Sequence, residues 1–185
     1  FKMNSKQIIR IISDFNAAPL SNFLKKEKRT SEFEVELSSY GQVYQTLAIP
    51  SKSSIDIVWT KPELTLPSFK KACQLEEIKH SDVLQEVKSF AKSVIAASEN
   101  RYIFVASWIL SSNINYGMLD WQSGLGLSNL LSRCNLLLAD EFSKSSNVYL
   151  MQSHGWMQGE INPNDRKMWY TTKIPYTFGV FKNAA

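Results

Sequence analysis

The sequence predicts an α/β fold: a three-layer α/β/α, doubly wound sandwich around a mainly parallel five-stranded sheet. Two observations carry that prediction. Apolar, β-rich runs near 7–13, 32–38, 54–60, 101–107 and 147–151 alternate with helix-period segments near 16–26, 40–48, 67–74, 81–99 and 126–144, and such alternation requires right-handed crossovers between parallel strands. The fourth run, Tyr102-Ile103-Phe104-Val105-Ala106, is nearly all apolar, as suits a central strand covered on both faces.

The elements follow in order. Strand one, with Ile8-Ile9-Arg10-Ile11-Ile12, runs into Ser13-Asp14-Phe15-Asn16. The helix after it ends in Lys25-Lys26-Glu27-Lys28-Arg29, a solvated end that complements the helix dipole; no aromatic-interleaved basic stripe accompanies it, which disfavours a nucleic-acid or membrane patch. Helix 81–99 opens on Ser81-Asp82, a plausible cap, and aligns Val83, Leu84, Val87, Ala91, Val94 and Ile95 on one stripe. The helix after Gly126 aligns Leu127, Leu130, Leu131, Cys134, Leu137, Leu138 and Phe142. Both stripes read as core. Between them lies the longest irregular stretch, 107–125, with Trp108, Asn113, Asn115, Tyr116, Asp120 and Trp121, a length usually spent on function or a partner. The tail from Gly155 holds Trp156, Trp169, Tyr170, Tyr176, Phe178 and Phe181, and this aromatic density must pack on something.

A length of 185 residues, 44% hydrophobic and 21% charged, suits a single soluble domain with a proper core, and the net charge of +4 is spread along the chain. Cys73 and Cys134 lie far apart, without metal-ligand spacing, inside expected helices; free buried thiols in a reducing compartment fit better than a disulfide. No run is long enough to span a bilayer and no leader segment precedes strand one, so a cytoplasmic location is expected.

In a sheet of this kind, chemistry gathers at the carboxyl ends of the strands. The residues expected there form a polar and aromatic rim: Asp14, Asn16, Gly41, Gln42, Gln45, Trp59, Lys61, Glu63, Trp108, Asn113, Asp165 and Trp169. Convergent polar groups around an apolar pocket suit a ligand or docking site; equally, the aromatics could fill the cleft while the polar groups satisfy loop backbone. A response-regulator receiver is disfavoured because Asp56 sits inside its strand, and a flavodoxin because Asp14-Phe15-Asn16-Ala17-Ala18-Pro19 offers no phosphate loop. Neither GxGxxG nor a Walker loop occurs. His80 and His154, the two histidines, lack neighbouring metal ligands.

Four blocks in series carry a resemblance: Asp14-Phe15-Asn16, Tyr40-Gly41-Gln42-Val43-Tyr44-Gln45, Val58-Trp59-Thr60-Lys61-Pro62-Glu63 and Asp165-Arg166-Lys167-Met168-Trp169-Tyr170, followed by Lys173-Ile174-Pro175-Tyr176 and Val180-Phe181-Lys182. In this order they resemble the N-terminal SGNH-hydrolase-like domain of FkbH-like proteins, which continue into a HAD-superfamily (subclass IIIC) phosphatase domain. The resemblance spans nearly the whole chain and implies a flavodoxin-like/SGNH-like fold over 1–185 as one domain, cut before the HAD portion, since no Asp-x-Asp motif occurs. For the whole protein it implies phosphatase or glyceryltransferase chemistry on a phosphorylated three-carbon unit, loading of an acyl carrier protein in polyketide or polysaccharide biosynthesis, and magnesium in the HAD domain. No cofactor is expected in residues 1–185.

SGNH hydrolases use a Ser in a Gly-Asp-Ser loop, an oxyanion hole of backbone, Gly and Asn donors, and a late Asp-x-x-His. By the resemblance, Ser13 stands for the Gly, Asp14 is kept, Phe15 replaces the nucleophile, Gly41 matches the second-block glycine, Pro62 or Glu63 takes the Asn position, Asp165 matches the late Asp, and Trp169 or a neighbour stands for the His. A phenyl ring cannot attack a carbonyl and an indole cannot take a proton at neutral pH. The expectation is therefore a silent binding domain that docks on the HAD domain. Two alternatives stay open: an active esterase or acyltransferase with a relocated nucleophile, His154 acting near Ser13 or Ser21, and a carrier-protein interaction module presenting Trp156, Trp169 and Phe181.

Overall fold

A computed structural model describes residues 6–110 and 116–185. The strands are β1 (Gln7–Ser13), β2 (Phe33–Leu37), β3 (Ile55–Trp59), β4 (Tyr102–Ala106) and β5 (Val148–Met151), all parallel, in the order β2-β1-β3-β4-β5. The helices are α1 (Ala18–Lys26), α2 (Val43–Ala48), α3 (Pro62–Thr65), α4 (Pro67–Cys73), α5 (His80–Ala97), α6 (Leu127–Phe142), α7 (Arg166–Thr172) and α8 (Phe178–Ala184). This is the doubly wound α/β class that the alternation predicts. Each strand lies within one residue of its expected bounds.

Two helix expectations need correction. The segment near 40–48 turns helical only at Val43, because Gly41 holds a φ of 81° that a helix does not use. The segment near 67–74 is preceded by a separate helix, α3, because Pro62 and Pro67 each open a helix of their own.

Period-2 alternation divides the core between the two faces of the sheet. Ile12, Val58, Ile103, Val105 and Val148 pack with the stripes of α5 and α6, among them Val83, Val87, Val94, Leu130, Cys134 and Leu138. Ile11, Val35, Trp59 and Ala106 pack on the other face with Leu20 and Leu24 of α1 and Val180 and Phe181 of α8. Lys25 and Lys26 occupy the last turn of α1. Both cysteines are free, and burial pushes each thiol up to about 12, which disables them as nucleophiles at neutral pH. No helix among the described residues is long and apolar enough to cross a membrane.

One charged group lies in the middle of this apolar sheet. Asp56, fully buried in β3, accepts two hydrogen bonds from its register partner Arg10 at 3.0 and 2.7 Å and one from Ser53 at 2.7 Å.

The chain leaves β1 for β2 on one side and returns to β3 on the other, so the strand order reverses between β1 and β3. Ser13 and Trp59 are register partners at the carboxyl ends of these two strands. That junction is where a crevice opens in folds of this type.

Candidate functional site

At the junction the backbone turns sharply. The Gly41 N–H donates to the Ser13 carbonyl at 3.0 Å, drawing the loop after β2 over the end of β1. Asp14 follows. Its carboxylate accepts from the Lys61 N–H at 2.9 and 3.2 Å and from the Thr65 hydroxyl at 3.1 Å, tying β1 to the loop after β3 and to α3. Burial of the Asp14 carboxyl pushes its pKa up to about 7, against the opposing pull of the Lys61 and Thr65 hydrogen bonds, and the nearby Glu63 charge adds to the rise.

Lys61 is almost wholly enclosed, its side chain 7% exposed. Its ammonium pairs with Glu63 at 2.8 Å and lies 5.2 Å from the centre of the Trp169 ring and 5.9 Å from that of Tyr176. Desolvation and two aromatic faces strengthen such a contact. The charges of Asp14, Lys61 and Glu63 thus form one connected group under a roof supplied by the tail.

Phe15 takes the place beside them. The ring is 0% exposed, with centroids 5.5 Å from Trp59, 5.8 Å from Tyr176 and 6.4 Å from Phe181. Trp59 stacks on Tyr176 at 5.3 Å and meets Trp156 at 4.8 Å. Phe15 is therefore packed among aromatic rings from β3 and the tail. Burial among them also pushes the Tyr176 phenol pKa up.

The remaining rim residues sort by position. Trp59 and Trp108, expected on the rim, are 1% and 2% exposed and belong to the core; strand parity turns Trp59 under α8, while the Trp108 indole N–H donates to the Thr60 hydroxyl at 2.9 Å. Asn16 clamps the tail: its backbone N–H donates to the Lys173 carbonyl at 2.9 Å and its amide to the Thr172 carbonyl at 3.2 Å, while its Oδ1 accepts from the Ala18 N–H. Gly41, Gln42 and Gln45 are exposed at the start of α2. Asn113 lies outside the described residues.

Asp165 is spent on structure, its carboxylate accepting from the Met168 N–H at 2.8 Å as the cap of α7. Asp165→Ala is expected to cost about 1 kcal/mol through loss of that cap, measured as a lower urea midpoint with an unchanged slope. His154 is exposed, whereas Ser13 and Ser21 are buried. His80 opens α5 rather than lying in a linker, and burial, with the Arg133 charge, lowers its pKa. Of the tail aromatics expected to be displayed, Phe181 is buried and Trp156 and Trp169 are half-buried; the exposed ones are Tyr170 and Phe178, neither of which is assigned that role. Among the described residues, no group of three or more His, Cys, Asp or Glu could hold a metal ion.

Thr65, Tyr176 and Phe181 are the members that sequence reasoning did not assign to the site. The signals for the last two are the aromatic density of the tail and the Lys173-Ile174-Pro175-Tyr176 and Val180-Phe181-Lys182 runs of the resemblance.

No family model and no curated protein matches the chain. Solved structures do. The N-terminal part of the protein BF1531 from Bacteroides fragilis, described as containing a phosphatase domain and complexed with Mg, superposes with a TM-score of 0.75 at 13% identity over 95% of this chain and 48% of that one. The native aryl esterase of M. smegmatis gives 0.55 at 12% identity, covering 96% of this chain and 94% of that one. A GDSL-like lipase from Bacteroides thetaiotaomicron gives 0.51 at 7% identity, covering 97% and 83%. At these identities the likeness establishes the fold: an SGNH-like α/β domain. The chain spans about half the length of the Bacteroides fragilis structure.

Proposed function

We propose that this chain is a non-hydrolytic SGNH-like binding and docking domain, serving a HAD-type phosphatase domain that follows it in a longer FkbH-like chain. One observation carries the reading: Phe15, at the nucleophile position that the resemblance assigns, is sealed in an aromatic cluster with Trp59, Tyr176 and Phe181. Hydrolysis needs a nucleophile, a base and an open cleft. Here the first is a hydrocarbon, Trp169 stands for the second, and the third is filled by the tail. The Bacteroides fragilis neighbour supports the second half of the reading, because that structure contains a phosphatase domain, is complexed with Mg and is matched by this chain over 48% of its length. In the longer chain the following domain would hold magnesium and act on a phosphorylated three-carbon substrate, passing the acyl unit to an acyl carrier protein; magnesium has no acidic cluster to bind among the described residues of this domain.

A relocated serine nucleophile fits the geometry poorly. Ser13 and Ser21 are buried, and the Ser13 hydroxyl is engaged by the Phe15 N–H at 3.2 Å.

The experiment places residues 1–185 and the longer chain side by side on p-nitrophenyl esters and on p-nitrophenyl phosphate with magnesium. The domain alone is expected to turn over neither substrate, and the longer chain only the phosphate. Ester turnover by the domain, lost on Ser13→Ala or His154→Ala, would overturn the reading.

A further inference from the structure

The amino ends of the strands, opposite the plugged crevice, carry a second polar centre. Arg101, just before β4, has its Nε 3.0 Å from an Asp56 carboxylate oxygen. That nitrogen is buried and makes no hydrogen bond, although the Arg101 side chain is only 7% exposed. Arg101 meets Asp56 as an ion pair without hydrogen-bond alignment, while Arg10 donates to both carboxylate oxygens and Ser53 to one of them. One buried carboxylate thus faces two buried guanidiniums, leaving one positive charge in excess. A buried charge without a full counter-charge is costly.

Open space adjoins that surplus charge. A cavity of about 540 Å³ is lined by Arg101 together with Lys52, Ser51, Ser54, Tyr102 and Asn147. A second, of about 260 Å³, shares Ser51, Glu99, Asn100 and Arg101 with the first. Glu99 lines both cavities and Lys52 lines the larger one. An enclosed guanidinium that shares its one carboxylate with a second arginine is a group that can recognise a further carboxylate or a phosphate.

We propose that the amino-edge cavity binds a small oxyanion, a phosphate or carboxylate group, with Arg101 as its principal ligand and Lys52 beside it. The anion supplies the counter-charge that Asp56 cannot give to both arginines. Burial, and the like charge of Arg10, lower the Arg101 pKa against the pull of Asp56; a bound anion relieves both. The site stands apart from the Asp14 group, at the other end of the strands, and does not depend on the function proposed for the carboxyl edge.

The test uses ¹H–¹⁵N spectra and thermal unfolding of residues 1–185 titrated with inorganic phosphate, citrate and acetate, against sodium chloride at matched ionic strength. Saturable shifts are expected at residues 51–54, 99–102 and 147, with a rise in melting temperature that chloride does not reproduce. Phosphate alone acting identifies a phosphate site; acetate or citrate alone identifies a carboxylate site. Arg101→Gln, which leaves the Arg10–Asp56 pair intact, is expected to weaken binding at least tenfold, and Lys52→Ala to weaken it less and flatten its salt dependence. Shifts scattered over the surface, no response beyond chloride, or binding undiminished in Arg101→Gln would each overturn the proposal. The wild-type shift map decides the matter even where a variant fails to fold.

Discussion

Phe15→Ala is expected to lower stability by about 3–5 kcal/mol, the usual cost of removing a fully buried phenyl ring from a packed core. The ring touches three other aromatics on two segments of chain, Trp59 at the end of β3 and Tyr176 with Phe181 in the tail. Neither can collapse onto the space, because Trp59 is fixed by its strand and Phe181 by α8. Edge-on ring contacts add to the loss beyond the buried area. Phe15→Ser should cost as much or more, since it also buries a hydroxyl. It should yield no esterase: the new hydroxyl would lie under Tyr176, and both histidines lie elsewhere, His154 exposed and His80 at the start of α5. Urea unfolding measures the first expectation and hydrolysis of p-nitrophenyl acetate the second. A Phe15→Ala midpoint equal to wild type would mean that the aromatic cluster is not a packed core, and ester turnover gained by Phe15→Ser would mean that the crevice is open.

Much of the fold is legible because strands and long helices announce themselves locally. The Ile8–Ile12 run marks β1, and the Val83–Ile95 and Leu127–Phe142 stripes mark α5 and α6, because burial of one face imposes a period that a short window contains. The site is less legible. Trp59 reads as a rim residue from its place after an apolar run, but its parity with Ile57 in β3 assigns it to the α8 face. The closing of Tyr176 and Phe181 over Phe15 spans more than 160 residues of chain, and no local pattern records it. The Arg10–Asp56 pair escapes a hydrophobic reading altogether, since each residue interrupts an apolar strand; only the register that sets them side by side explains both. Asp14 and Asp165 illustrate the limit of motif matching. The resemblance assigns both acids to a hydrolase motif, yet one closes a loop and the other caps a helix.

The raised pKa of Asp14 makes stability depend on pH in a direction opposite to that of most paired carboxylates. In the folded chain the carboxyl titrates at about 7, against 3.8 ordinarily, because burial outweighs the hydrogen bonds from Lys61 and Thr65. Between those values the folded protein holds a proton that the unfolded chain has released. Stability from this group is therefore full below about pH 4, falls as pH rises, and levels off above about 7. At roughly 1.4 kcal/mol per unit, the loss across that window is at most about 4 kcal/mol. Asp14→Asn keeps a carbonyl oxygen for the Lys61 N–H and the Thr65 hydroxyl but cannot ionise. Its stability should lie closest to wild type at about pH 4 and exceed it by several kcal/mol at pH 8, and the difference between the two curves isolates Asp14 from Glu63 and the other carboxylates common to both. Denaturant titrations at half-unit steps from pH 4 to 8.5 measure that difference; parallel curves would show that Asp14 ionises freely. A divergence that grows between about pH 4 and 7 and then levels off would mean that the carboxyl linking β1, Lys61 and the tail changes charge near neutrality in the folded chain, so that the roof over the crevice is held most firmly when the carboxyl is protonated.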